Sequence, residues 1–373
     1  FAWTAWAAAA DRPGQSYSYT NNWPSEESIG NTPTADAILW STLSLIALIA
    51  GTGLMLAIFG RYHWLGWHRR EDQRLDFRSP DSVVITPAQK ATGWFFLVMA
   101  LLFVLQTLVG ALTQHYHVEL AGFFGFDIGR LIPYNLSRTW HVQLTIFWVA
   151  TSFLAAGIFL LPLITRGEPR RQGLLSYALL GALAVVVFGS LIGEFAGQRG
   201  WLGSLWQYVG NQGLEYVDLG RFWQTLLVVG LVFWVIIIIR GLRRRLAGES
   251  LGNTPWLFLY AALAIPAFYA VSLLAHPGGH TTMNDYWRFW MVHLWVEDFL
   301  ELFTTAVVAY IFVLVGVVKE RTTLRVIYLD IIIYSLGGVI GTMHHLFFSG
   351  TPAATMALGA MFSALEVVPL TLL

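Results

Sequence analysis

The stretch Tyr286-Trp-Arg-Phe-Trp-Met-Val-His293-Leu-Trp-Val-Glu297-Asp298-Phe-Leu-Glu301 places one imidazole and three carboxylates at the head of an apolar run that continues to about Val318. Read as an α-helix, His293, Glu297 and Glu301 are spaced i, i+4, i+8 and fall within a sector roughly 80° wide. One face then carries a nitrogen donor with two carboxylates along it. Ionisable groups in a membrane helix cost about 3 kcal/mol or more each and are retained where they face a bundle interior and do chemistry. A second cluster, His344-His345, closes another apolar run, with Gly337, Gly338 and Gly341 one or two turns before it. Adjacent histidines point about 100° apart on a helix, yet both can reach one ion lying close to it. Three imidazoles and a carboxylate suit a divalent first-row metal, and the hard oxygen of Glu297 fits iron better than Cu(I). His141 stands alone in its segment, where a hydrogen-bonded packing residue and a ligand are equally good readings. Gly337 and Gly341 by themselves read as a helix-packing signal.

The elements that hold these residues are membrane helices. With 56% hydrophobic residues, 12% charged residues, mean hydropathy +0.59 and 17 Trp in 373 residues, the chain is an all-α polytopic membrane protein. Its net charge is zero, so overall charge points to no partner, nucleic acid included. The absence of Cys excludes disulfides, thiolate metal sites and a covalently attached c-type haem in this portion. The first residues lack an initiator Met and a basic n-region, and the last stop within an apolar run, so the sequence reads as an internal fragment of a longer protein.

A polar stretch rich in Pro, Gly, Ser and Asn runs to about Thr34, and nine apolar segments follow: about 37–60, 91–113, 139–164, 173–194, 221–240, 254–275, 287–318, 325–348 and 353 onward. Each is long enough for a ~30 Å hydrocarbon core, the last only just. Basic residues alternate with them. Arg61, Arg69, Arg70, Arg74, Arg78 and Lys90 fill one loop, Arg166, Arg170 and Arg171 the next but one, then Arg240 and Arg243 to Arg245, then Lys319, Arg321 and Arg325. The positive-inside rule places these loops in the cytoplasm and residues 1–36 outside. His293, His344, His345 and His141 then share the outer part of the membrane.

His293-Leu-Trp-Val-Glu297 with Glu301, Gly341-Thr-Met-His344-His345-Leu-Phe-Phe-Ser-Gly-Thr-Pro352 and Phe362-Ser-Ala-Leu-Glu366 resemble the motifs of nitric oxide reductases, the non-haem-iron branch of the haem-copper oxidase superfamily. The resemblance extends over essentially the whole chain from about residue 17. It implies a haem-copper oxidase-type helix bundle in which His293, His344 and His345, with Glu297, bind the non-haem iron FeB. Glu301 and Glu366 match acids that tune the site and deliver protons. Arg138-Thr-Trp-His141-Val-Gln matches the segment whose histidine is an axial ligand of the low-spin haem b. The reaction so implied turns two NO into N2O and water at FeB and a high-spin haem b3, using two electrons and two protons. In related oxygen reductases a tyrosine stands four residues after the first metal histidine. Here the residue is Glu297, which argues against an oxidase.

The resemblance also bears on the electron donor. Cytochrome c-dependent members place a c-type haem in a partner subunit, whereas quinol-dependent members fuse a haemless version of it ahead of the catalytic part. An outer polar segment, an additional span and basic loop before residue 91, and no Cys fit the fused, quinol-dependent form. Residues 1–36 are then the tail of a periplasmic, haemless cytochrome c-like domain, 37–90 an added helix and cytoplasmic loop, and 91–373 the catalytic core. His115 and Glu119, four apart, with Phe123 to stack on a ring, resemble the quinol pocket of these enzymes. Interfacial polar residues at a helix end explain them as well. Gly213-Leu-Glu215-Tyr-Val-Asp218 resembles the segment that supplies a carboxylate to a calcium ion, with Glu215 as the candidate. His63, His68, His276 and His280 read as solvated loop residues.

Further expectations are the bacterial inner membrane, a lipid environment and a homodimer. The resemblance implies that the remaining haem ligands come from a helix beyond residue 373, so the isolated fragment is expected to be inactive. Two other readings stay open: a cytochrome c-dependent enzyme, and a transporter using intramembrane His and Glu as a proton or metal path.

Overall fold

In a bilayer core no water is available to satisfy backbone N–H and C=O groups, so each long apolar run closes its hydrogen bonds within itself as a helix. The computed structural model follows this rule throughout. It describes residues 13–14, 18, 22, 27–62, 84–118, 122, 125–165, 167–214, 216–246, 254–349 and 351–373. Among the described residues eight helices are long and apolar enough to cross a membrane. The chain divides into two compact units, one formed by Phe77–Phe303 and the other by Phe1–Asp76 with Thr304–Leu373.

The central unit, Phe77–Phe303, contains α2 (Pro87–Val118), α3 (Tyr134–Thr165), α4 (Gln172–Gln198), α5 (Arg221–Leu246), α6 (Thr254–Val271), α7 (Thr281–Phe289) and a π-helical stretch, Trp290–Leu300. α3 is the most buried of its spans, packing on α2, α4 and α5. Its contact with α5 shows how. Trp234 is fully buried and donates its indole N–H to the Leu154 carbonyl at 3.2 Å. It fits there because residue 157 is glycine, where a β-carbon would stand 2.7 Å from the indole. Phe303 meets Trp234 edge-on at 5.6 Å and Phe258 at 5.2 Å, a cluster whose ring contacts contribute about 0.5–1.5 kcal/mol each beyond area burial. Polar side chains close carbonyls between helices, as Gln172 does by donating to Ile237 at 2.7 Å. Gln224 links Gln212 (3.0 Å) and Ser272 (2.9 Å).

The other unit contains α1 (Ala35–Tyr62), the rest of α8 (Glu301–Leu314), α9 (Glu320–Gly341), a 3-10 run Thr342–Ser349, α10 (Ala353–Leu365) and α11 (Val368–Leu372). α10 lies between α1 and α9. Small residues set its approach to α9: a β-carbon at Gly341 would lie 3.3 Å from Ser363, and one at Gly359 would lie 2.6 Å from the His344 amide nitrogen.

The segment expected as a single helix over 287–318 is built differently. It is α-helical to Phe289, π-helical over eleven residues and α-helical again from Glu301. Segment eight likewise ends in a 3-10 run after Gly341.

We expect Gly157→Val to lower the thermal stability of the full-length protein by about 1–3 kcal/mol through overpacking against Trp234. Gly53→Ala, where a β-carbon meets nothing within 4 Å, should leave it unchanged or slightly raised. Differential scanning fluorimetry in detergent compares the two.

Candidate functional site

The π-helical stretch Trp290–Leu300 is where the central unit presents its chemistry. Hydrogen bonds of the i→i+5 type make each turn wider than the 3.6 residues of an α-helix, so residues four apart lie slightly less than one turn from each other. His293, Glu297 and Glu301 therefore still share one face, with the drift along it running in the opposite sense to that of an α-helix. His293 and Glu297 still meet, with Nδ1 3.0 Å from a Glu297 carboxylate oxygen. His293 is fully buried and Glu297 half-buried, while Trp295, on the other side of the stretch, is buried edge-on against Tyr269 at 5.2 Å. Glu301 begins α8 and is also half-buried.

The second unit presents His344 and His345 within its 3-10 run, half-buried, with ring centroids 4.1 Å apart. The tightness of α10 against this pair follows from Gly359 and Gly341. Glu366, at the C-terminal end of α10, is 2% exposed. One of its carboxylate oxygens lies 3.2 Å from where a Gly337 β-carbon would be, and its backbone carbonyl accepts a hydrogen bond from the Tyr334 hydroxyl at 3.3 Å. Gly337 and Gly341 thus serve helix packing, and Gly337 also makes room for a carboxylate.

His141, on α3, meets α2. Its Nδ1 lies 3.1 Å from the Gln106 carbonyl oxygen, and the Gln106 amide nitrogen stands 3.1 and 3.3 Å from the two ring nitrogens. A β-carbon at Gly110 would be 2.5 Å from the ring. With the N–H at Nδ1 donating to that carbonyl, Nε2 is the basic nitrogen, one of the two tautomers in which a histidine can ligate a metal.

Residues 90–373 match the family described as Cytochrome C and Quinol oxidase polypeptide I. The chain belongs to that family. Residues 1–25 match the cytochrome c-like domain of a nitric oxide reductase. The chain is also similar to a nitric oxide reductase polypeptide of Stutzerimonas stutzeri, 29% identical over 279 residues that cover 74% of this chain and 56% of that protein. It therefore spans about half the length of the curated relative it matches. Together these findings place the chain in the haem-copper oxidase family and make it similar, within that family, to nitric oxide reductase polypeptides.

Of the remaining sequence candidates, His115 is exposed near the end of α2, while Glu119, Phe123 and Glu215 lie outside the described residues, as do His63 and His68. His276 and His280 are exposed loop residues, as expected. Sequence reasoning misses Gln106, whose signal is an amide side chain inside an apolar run, and Asp330, fully buried in the middle of α9. It also ends the fourth apolar segment at Glu194, whereas α4 continues to Gln198 and buries that residue.

Glu297→Ala, by removing the carboxylate beside His293, should weaken iron retention by the full-length protein about 10- to 100-fold. Elemental analysis after dialysis against a graded chelator series reads this. Iron held as in the wild type would separate the His293–Glu297 pair from metal binding.

Proposed function

We propose that the full-length protein is a quinol-dependent nitric oxide reductase of the bacterial inner membrane, with residues 1–36 on the periplasmic side. The observation that carries this reading is the buried His293 with Glu297 at 3.0 Å, in a chain similar to a nitric oxide reductase polypeptide. The donor set suits iron: three imidazoles with one hard carboxylate oxygen, and no thiolate anywhere in the sequence. His293, His344, His345 and Glu297 would hold the non-haem iron FeB, and His141 would be an axial ligand of the low-spin haem b. Bound there, FeB and a high-spin haem b3 would supply two adjacent metals at which the nitrogens of two NO molecules meet and receive two electrons.

The chain's own residues do the rest. Glu297 takes the place of the tyrosine that oxygen reductases use as a further electron source, and NO reduction needs none. Glu301 and Glu366 are the acids that hold and hand over the two protons consumed per N2O. Gln106 fixes His141 through its carbonyl, and the close approach of α2 at Gly110 keeps the ring in that orientation.

Quinol is favoured as donor because a match to the cytochrome c-like domain of a nitric oxide reductase lies on the same chain as the catalytic core, ahead of α1. His115, Glu119 and Phe123 would form the quinol pocket, the first two to bond the hydroxyl and take its proton. Glu215 is assigned to a calcium ion. A homodimer in lipid completes the proposal.

Membranes holding the full-length protein should consume NO with a reduced quinol as donor, and His344→Ala should abolish at least ~99% of that rate. A nitric oxide electrode makes the measurement. Turnover with reduced cytochrome c but not with quinol would overturn the donor assignment. No turnover with either donor would overturn the reaction and favour a transporter. In the same preparation Gly110→Val, by pushing His141 out of position, should remove the low-spin haem bands from the visible spectrum while leaving the near-ultraviolet circular dichroism intact.

A further inference from the structure

A cavity of about 580 Å³ opens in the central unit, away from His293 in sequence and on different helices. Tyr134 and Arg138 line it from the start of α3, Glu194 and Gln198 from the end of α4, and Asn211 and Asp218 from the connection before α5. Its walls are fixed. Asn135 donates to Gln198 at 2.9 Å, and Asn211 donates to Thr139 at 3.3 Å. The connection is clamped onto α4, where Gly193 leaves no room for a β-carbon beneath the Val209 carbonyl and Trp223 donates to that same carbonyl at 2.6 Å.

Glu194 is 1% exposed, lines this cavity, and neither of its carboxylate oxygens has a hydrogen-bond partner among the described residues. Arg138 from α3 and Asp218 from the connection are the charged groups lining the cavity with it. A buried carboxyl without donors in a membrane protein is costly and is retained where it has work to do. The start of α3 supplies a route to it. The Tyr134 hydroxyl lies 3.0 Å from His117 Nε2, the two rings meeting edge-on at 5.1 Å, and His117 is exposed at the end of α2. At ~30 Å³ per molecule the cavity has room for a chain of waters.

We propose that the cavity is a proton inlet in which His117 collects protons at the surface, Tyr134 passes them inward and Glu194 holds them. The imidazolium N–H at Nε2 gives its proton to the Tyr134 oxygen as the tyrosine's own proton moves to cavity water and on to a Glu194 oxygen. Glu194 releases it to the cavity when the reaction draws one. No heavy-atom bond forms or breaks, and the proton count is unchanged at each transfer. The inference rests on the proposed NO reduction, which consumes two protons per N2O, and it assigns their uptake to the side of the membrane where α2 ends.

The test uses the full-length protein in its membranes. Infrared difference spectra between acid and alkaline buffer should show the carbonyl stretch of a protonated carboxylic acid that shifts in D2O and is missing from Glu194→Gln. NO consumption should fall at least about tenfold in Glu194→Gln, recover in Glu194→Asp, and fall several-fold in Tyr134→Phe with slowed deuterium exchange of the band. Wild-type gel-filtration profiles of the variants establish folding. A Glu194→Gln variant that keeps the band, or keeps wild-type turnover, overturns the proposal. So does loss of the wild-type band on adding Ca2+, which would make the carboxyl a cation ligand. Should the wild type consume no NO, the reading of the reaction fails, while the band and its exchange still decide the inlet.

Discussion

One constraint shapes where polar groups sit in this structure: inside hydrocarbon such a group is satisfied by the protein or costs free energy, because no water is there to satisfy it. The helices are its first consequence. The second is visible between them, where amide and indole side chains are spent on carbonyls of neighbouring helices: Gln172 on Ile237, Trp234 on Leu154, Trp140 on Leu191 at 3.2 Å. Beside these bonds, His293 next to Glu297, the paired imidazoles of His344 and His345, and the buried carboxyl of Glu194 are departures from what packing alone requires. In a membrane protein such departures mark where chemistry occurs.

The π-helical stretch is the same constraint met with less regularity. Wider turns give up part of the close i→i+4 ladder, and short π insertions occur mostly at functional positions. Here eleven residues adopt that form, and they are the residues that carry His293 and Glu297. With Trp295 locked against Tyr269 on the far side of the stretch, the backbone is held while the imidazole and the carboxylate stay adjacent. The arrangement gives a hard oxygen and a nitrogen side by side, which an isolated surface pair would surrender to water.

Much of this was legible in the sequence. Apolar length located the spans, and the His293–Glu297 spacing located a contact that survives in π geometry because four residues are close to one turn in either helix. The irregular backbone itself was not legible, since Trp290–Leu300 has the same composition as an α-helix. Nor could periodicity show that His141 would be answered by Gln106, a pairing made across 35 positions of chain. Glu194 was misplaced for a related reason: hydropathy ends span four at the first acid, but the helix ends only after Gln198, and tertiary packing by the connection ahead of α5 buries what composition reads as interface.

Glycine positions tie these levels together. At Gly337, Gly341 and Gly359 the missing β-carbons let α10 approach the turn bearing His344, and the same closeness gives the Glu366 carboxylate its place. At Gly110 the missing β-carbon admits an imidazole. A sequence pattern of small residues cannot by itself distinguish helix contact from a bed for a functional group, because both need the backbone exposed to a neighbour. What separates them is the identity of the atom that fills the space. Ser363 at Gly341 is packing, whereas the His141 ring at Gly110 and the Glu366 carboxylate at Gly337 are groups whose burial helix association alone would not require.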